Sequence, residues 1–353
     1  MSTSKDFTLT FTGDVMLGRL LDQLMPEHVP NQHDERIATT FIKAHPTLLS
    51  KGNYTPSSPW GTTLPPPPLL YPSMHQPGNR RPILHAGGID YASLANNHTL
   101  DFDTEGLTET VQTLQQANVT YAGVGETAND ARKPAVLHLP RASEPIEEGK
   151  HRHTVHIYSA SDHPRVWASV PGFNMFDYTR DTRARLREML VDAEETKPAL
   201  KIFSVHWGPN YAWQPDGRIK SLAHFLIDEC GVDIVHGHSS HHVQGVEVYH
   251  GKLVIYGCGD FVDDYALNEE YRNDLGALWR VVVREKTGGG LGLERLEIFP
   301  TRVDRFRAVL LDSKDADHVW IRRRIRELSG ELGTIVKAGL GEKGEIIVEF
   351  SGE

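Results

Sequence analysis

Residues 235–245 read VHGHSSHHVQG, and four of these eleven are histidine: His236, His238, His241 and His242. Imidazole is the commonest protein metal ligand and the usual proton carrier near neutral pH. The same residues also fit a turn that does no chemistry. Three further segments end in side chains of related kind. FTLTFTGD ends at Asp14, YASLANNH at Asn96, Asn97 and His98, and KIFSVH at His206. Carboxylate, amide and imidazole donors together suit Mn, Fe or Zn. Singly, none of them decides. Asp after Gly is a common turn residue and NNH suits a tight turn. A histidine closing an apolar strand is commonly a hydrogen-bonded core residue. Neighbours on an extended chain point to opposite faces, so two of the four histidines at 236–242 are surplus to any one site.

The elements that would have to position these side chains can be read from periodicity. FTLTFTGDV (7–15) alternates and is rich in β-formers, which predicts a strand. Residues 36–51 read as a helix. Segment 52–82 holds nine of the 21 prolines; proline lacks the amide donor and fixes φ, so no central strand or helix interior is expected there. IDYASLANNH (89–98) reads as a short strand delivering a polar turn. Thr104 is placed to cap a helix in which Leu107, Val111 and Leu114 share a face. Strands are expected at 119–122, 134–139, 154–160, 201–206, 232–236 and 252–257. Helices are expected at 180–196, 218–230 and 315–330, with Gly231 closing the second. ALWRVVVRE (277–285) and LERLEIF (293–299) flank GGGLG as a hairpin. Alternating strands and helices imply a layered α/β fold, and the late hairpin implies a mixed sheet. Residues 1–310 are read as one domain and 311–353 as a helix-and-strand extension packed on it. In open α/β sheets ligands bind beyond the carboxyl ends of the strands, where all four polar endings fall. Gly13, Gly208 and Gly237 beside them permit sharp turns.

Composition narrows the partners. The chain has 353 residues, a net charge of −10 and two cysteines, Cys230 and Cys258. An acidic balance argues against nucleic acid as partner, and two cysteines exclude a disulfide scaffold. There is no apolar leader core and no run of 18 apolar residues, so no membrane anchor and a cytoplasmic address are expected. Oligomeric state is not legible.

Four motifs, in order, carry a resemblance: GDVML (13–17), SLANNHTLDF (93–102), HWGPNY (206–211) and GHSSHHVQGVEVYHGKLVIYGCGDF (237–261). They resemble the successive motifs of the CapA family, the poly-γ-glutamate capsule-synthesis proteins related to calcineurin-like metallophosphoesterases. The resemblance implies a metallophosphoesterase-like α/β/β/α sandwich with mixed sheets and a metal centre at the strand ends. It places Asp14, Asn97, His206, His238 and His241 as ligands of a divalent metal (Mn, Fe or Zn) and His98 as proton donor. Trp207 and Tyr211 would line the pocket, Asn96 would support the turn, and Asp260 would orient a ligand histidine.

One departure stands out. The family normally places an Asn-Leu-Glu strand between the GD and NNH motifs, its acid bridging two metals. Residues 36–89 contain no Asp or Glu. A strand and its carboxylate are therefore expected to be missing, leaving a gap in the sheet and one firmly held ion, or two if another carboxylate serves. The leading functional expectation is a metal-dependent hydrolase of a phosphoester or of an amide in a glutamate-like small molecule or acidic polymer. The alternatives are a catalytically impaired accessory or binding protein of polymer synthesis, and a histidine-rich metal module of unrelated fold. His151, His153 and His156 are read as a surface loop entering a strand, Arg80–Arg81 as an exposed basic pair, and Cys258 as a small buried residue.

Overall fold

In β1 (Asp6–Met16) the alternation of FTLTF puts Phe7, Leu9 and Phe11 on one fully buried face, with Thr8 and Thr10 opposite. Each such ring or isobutyl group removed from water contributes about 1.5–3 kcal/mol, which fixes the register of the strand against the core. This is a computed structural model, and it describes residues 6–16, 38–46, 88–140, 152–192, 197–263, 265–286, 290–304 and 307–350.

β1 runs antiparallel to β2 (Ala38–Pro46) on one side and to β12 (Leu275–Lys286) on the other. The sheet continues past β2 to β3 (Tyr91–Ser93) and β4 (Thr120–Ala122). Past β12 it continues to β13 (Gly290–Val303), β16 (Ile346–Glu349) and β15 (Val336–Leu340). Two short strands join off this path: β11 (Asp260–Val262) parallel to β1, and β14 (Ala308–Leu310) on β13. The second sheet has the order β5 (Ala135–Pro140), β6 (Arg152–Ser161), β7 (Leu200–His206), β8 (Ile234–His238), β10 (Lys252–Ile255), β9 (Val246–Tyr249). Its centre is parallel and its two edges antiparallel. Both sheets are therefore mixed.

The two sheets face each other across a core that includes Phe7, Leu9, Phe11 and Trp279 from the first and Val155, Ile157, Ile202 and Ile255 from the second. Helix α1 (Asp103–Gln116) covers the outer face of the first sheet, with Leu114 packed near Ala92 and Leu94. α2 (Ala128–Arg132) is a single short turn. α3 (Arg180–Arg187) and α4 (Gly217–Asp228) cover the outer face of the second sheet through Leu186, Leu222 and Leu226. α4 starts where it does because Asp216 accepts the amides of Arg218 and Ile219. The layers are thus α/β/β/α, as expected. α5 (Ala316–Glu331) adds Ile321 and Ile325 to the inter-sheet core, and β15 and β16 extend the first sheet. No helix among the described residues is long and apolar enough to cross a membrane.

Several expectations are corrected. Residues 38–46 are a strand, not a helix, and β2 occupies the place between β1 and β3, so the sheet has no gap there. The β-formers of ATTFIK suit that position, and pairing on both edges outweighs any helical tendency. β2 nonetheless brings no carboxylate, since its sequence is ATTFIKAHP. α1 is entered from Phe102 without a side-chain cap, and Thr104 lies inside the helix. β6 begins at Arg152, so His153 lies in the strand with His156 rather than on a surface loop; it is buried, with Nε2 3.2 Å from Glu285 of β12. α3 ends at Arg187 and passes into a wider turn, Glu188–Asp192. The proline-rich segment 52–82, Arg80–Arg81 and His151 lie outside the described residues.

Candidate metal centre

The parallel register aligns Ser161 of β6 with His206 of β7, and His206 with His238 of β8. Three strands thus end in one row. On the facing sheet β1 carries Asp14 two residues before its end, in register with Asp260 of β11. The close approach is made possible by Gly13: a Cβ there would stand 1.5 Å from the Gly259 carbonyl oxygen. Gly237 serves the same purpose, its absent Cβ falling 2.3 Å from the Tyr256 oxygen, whereas Gly208, at φ +75°, is the true turn residue. So of the three glycines expected to allow turns, two instead allow close packing.

These strand ends bring Asp14, His206 and His238 together, with one donor atom from each lying within 4.8 Å of the others. Asp14, His241 and Asp260 form a second such group. Asp14 belongs to both. His206 Nδ1 lies 2.8 Å from His238 Nδ1, and His238 Nδ1 lies 3.7 Å from Asp14. Asn96, Asn97, His98, His206 and His241 join Asp14 in lining a cavity of about 10 Å³, room for one atom-sized guest.

A hydrogen-bond chain sets the tautomers. His236 Nε2–H donates to the Thr12 carbonyl across the sheets at 3.0 Å, leaving Nδ1 to accept from the Ser204 hydroxyl at 3.0 Å. Ser204 then accepts from His238 Nε2–H at 3.3 Å, which leaves the lone pair of His238 Nδ1 facing the cluster. Burial, reinforced by neighbouring imidazoles, holds His206 and His238 well below the ordinary imidazole range, so both are neutral. Two neutral imidazole nitrogens in contact, a nearby carboxylate and a buried His206 Nε2 with no hydrogen bond fit a divalent cation. The cation would satisfy donors that are otherwise turned on one another.

Asp260 accepts from His241 Nδ1 at 3.0 and 3.2 Å, leaving Nε2 as that residue's donor atom. Burial pulls the His241 imidazole down, but Asp260 and Asp14 raise it to about 9. Burial likewise raises both Asp14 and Asp260, so the His241–Asp260 pair retains a proton that a cation would displace. Ser239 and His241, at φ +99° and +62°, and Tyr211 at +59° sit in the left-handed region. Such backbone is costly for residues with a Cβ and is held only where the surroundings impose it.

On the opposite wall His98 is held at both nitrogens, Nδ1 2.8 Å from Asp101 and Nε2 3.0 Å from the Tyr265 hydroxyl. Asn96 accepts the His98 amide at 2.9 Å, which shapes the turn. Tyr211 lies beside His241, ring centroids 5.8 Å apart. Trp207 does not line this cavity. It packs on the far face of its sheet against Tyr256, to whose carbonyl it donates at 2.9 Å, because β7 turns alternate residues to opposite sides. His236 is the inter-sheet link, and His242 sits among Tyr211, Trp213 and Tyr271. Cys258 is fully buried and its thiol is pushed up by burial, the opposite of an activated nucleophile.

Sequence reasoning passed over four residues. Asp162 and His163 follow β6 directly, with His163 Nδ1 on Asp162 and its ring 4.8 Å from that of His206. Asp162 also accepts from the Gly208 amide (3.0 Å) and the Tyr178 hydroxyl (2.7 Å). The signal was present, since SASDHP is another apolar strand ending in metal-type side chains. Ser204 was visible only as a polar residue inside KIFSVH, and Tyr265 only as the end of an acidic loop.

The chain is thus an α/β/β/α sandwich with carboxylate, amide and imidazole side chains gathered at the ends of its strands. The chain belongs to the bacterial capsule synthesis protein (PGA_cap) family, whose model matches residues 8–265. It is 32% identical over 364 residues, 92% of each chain, to a probable polyglutamine synthesis accessory protein of Mycobacterium tuberculosis. It is 22% identical to the capsule biosynthesis protein CapA of Bacillus anthracis, covering 74% of this chain and 61% of that one. With the PGA biosynthesis protein CapA of Bacillus subtilis it shares 25% identity, over 72% of this chain and 63% of the other.

Proposed function

We propose that the chain is a metal-dependent hydrolase of a phosphoester, or of an amide in a glutamate-like or polyglutamate substrate. The observation that carries this reading is Asp14 standing in two donor groups at once. One carboxylate can thereby serve two adjacent positions although β2 supplies none. Asp14, His206 and His238 would hold the first ion, with Asn97 on the same cavity wall; His241 would face a second. An ion bound there supplies Lewis-acid polarisation of the scissile group and acidifies a water. The remaining work falls to the protein. Asp101 fixes the His98 ring so that Nε2 faces the cavity, and a proton delivered from that nitrogen would leave with the departing group. The Tyr265 hydroxyl, 3.0 Å away, can resupply it. Ser239, whose amide lies 3.3 Å from Asp14, fixes that carboxylate's orientation.

A second reading, an accessory protein that binds polymer without cleaving it, is favoured by one feature: the strand filling the family's acid-bearing place is ATTFIKAHP. Elemental analysis of the purified chain, followed by turnover on a panel of phosphoesters and γ-glutamyl amides, separates the two. On the hydrolase reading His98→Ala lowers turnover about 10²–10⁴-fold with ion content unchanged. Turnover insensitive to that substitution removes His98 from the chemistry. Stoichiometric ion with no turnover on any substrate leaves the accessory reading.

A further inference from the structure

Between α2, the turn Arg165–Ser169 and α3 lies a second cavity of about 190 Å³. Three arginines line it: Arg132 from the end of α2, Arg165 from the turn, and Arg185 from α3. They meet a single lining carboxylate, Asp177, 3.9 Å from Arg165. That carboxylate is already engaged by the Thr179 amide at 3.0 Å and by the hydroxyls of Thr179 and Thr182 at 2.6 and 2.5 Å. Among the described residues neither Arg132 nor Arg185 forms an ion pair. Arg185 donates to the Met175 carbonyl at 2.8 Å and approaches the Thr182 hydroxyl at 3.5 Å, a fraction of the five N–H groups a guanidinium offers. Burial depresses the Arg185 guanidinium and its neighbour Arg132 depresses it further, against the smaller opposing pull of Asp177. Like charges gathered at one cavity are unfavourable unless an anion shares them.

The cavity is stitched to the metal centre. Phe176 donates its amide to Ser161 at 2.9 Å, and Ser161 donates to Asn174 at 3.0 Å, so the lining segment is an extension of the end of β6. Ser161 is the register partner of His206. Arg165 lies two residues beyond His163, whose ring abuts that of His206. Two residues of chain and one strand spacing put Arg165 on the order of 10 Å from His206.

We propose that Arg132, Arg165 and Arg185 form a carboxylate-binding subsite that holds a side carboxylate of an acidic glutamyl chain while a neighbouring linkage lies at the metal centre. The planar guanidinium fork matches carboxylate geometry and can bind it bidentately, and Phe173 and Met175 offer apolar wall to the intervening methylenes. As a statement about substrate this rests on the hydrolase reading; as a statement about binding it stands without it.

The test uses the full chain, with calorimetric titration of a short γ-linked glutamate oligomer into wild type, Arg132→Gln, Arg185→Gln and the double variant. Inorganic phosphate is titrated as a parallel arm. Loss of a charge-assisted hydrogen bond translates to a drop in affinity of about tenfold or more. The expected result is that loss for the double variant, with ion content and turnover of a small phosphoester unchanged. The half-buried Arg132 gives a single variant that keeps the fold if the double does not. Oligomer affinity equal in wild type and Arg132→Gln overturns the subsite, as does phosphate binding as tightly as the oligomer. Arginine-dependent binding in a chain that hydrolyses nothing retains the subsite and removes the hydrolase reading; turnover with arginine-independent binding does the reverse.

Discussion

Ser204→Ala tests whether the metal centre is tuned from behind. The hydroxyl is fully buried, 3.0 Å from His236 Nδ1 and 3.3 Å from His238 Nε2. Removing it strands an acceptor on one ring and a donor on the other, each worth about 1–3 kcal/mol when buried and unpaired. His238 can escape its share by moving the proton from Nε2 to Nδ1. That move puts hydrogen on the atom facing Asp14 and His206, where an ion must displace it. Loss of a partner behind a ligand histidine lowers metal affinity about 10–100-fold, or about 1.4–2.7 kcal/mol. Competition against a chelator of known affinity measures this directly, and melting in excess chelator reports the stability cost separately. Ser159→Ala is the matched control. That hydroxyl is equally buried and belongs to the register partner of Ser204, but it bonds to Ser93 at 2.6 Å rather than to an imidazole, so it should lower the melting temperature and leave affinity alone. A folded Ser204→Ala protein that binds the ion as tightly as wild type refutes the tautomer argument.

Gly13→Ala should be far more damaging than a surface glycine change. Its Cβ would fall 1.5 Å from a backbone oxygen, so the cost exceeds the about 1–3 kcal/mol of ordinary overpacking; a depressed melting temperature and lost ion content are the readouts. Asp177 gives an acid-stability prediction. Hydrogen bonds from Thr179 and Thr182 hold its carboxyl at about 2, below the ordinary 3.8. Stability from a depressed acid is fully present above the unfolded value and is lost as pH falls through the folded one. The full difference corresponds to about 2.5 kcal/mol, which partial exposure reduces to about 1. Urea unfolding at about pH 5 and about pH 1.5 should show wild type losing most of that more than Asp177→Asn.

Strands marked by strong alternation, as in FTLTF, or by a short apolar run, as in KIFSVH and KLVI, were legible. The clustering of polar strand endings was legible for a related reason. A polar side chain closing an apolar run is conspicuous, and the parallel register then collects such endings. What was not legible depended on the partner strand. ATTFIKAHP has no decisive period of its own, and its extended form follows from pairing with β1 and β3. Thr104 was a sound cap residue one turn position too late. Trp207 adjoins His206 in sequence, yet alternation turns it to the other face, a consequence fixed once β7 is known to run through His206. The Asp162–His163 pair carried the same strand-end signal as the other motifs but stood in no recognised one.

The missing acid looks different once the strands are placed. The departure from the family pattern suggested a lost strand and therefore a broken sheet. Instead a strand is present and only its carboxylate is absent, so fold and chemistry are separable in this chain. Two cations brought to about 3.5–4 Å need an anion between them, and the one side chain common to both donor groups is Asp14. Asp260 cannot take that part without releasing His241, whose Nδ1 it holds at 3.0 Å. The number of ions the protein retains therefore measures whether Asp14 alone can do what the family assigns to two acids.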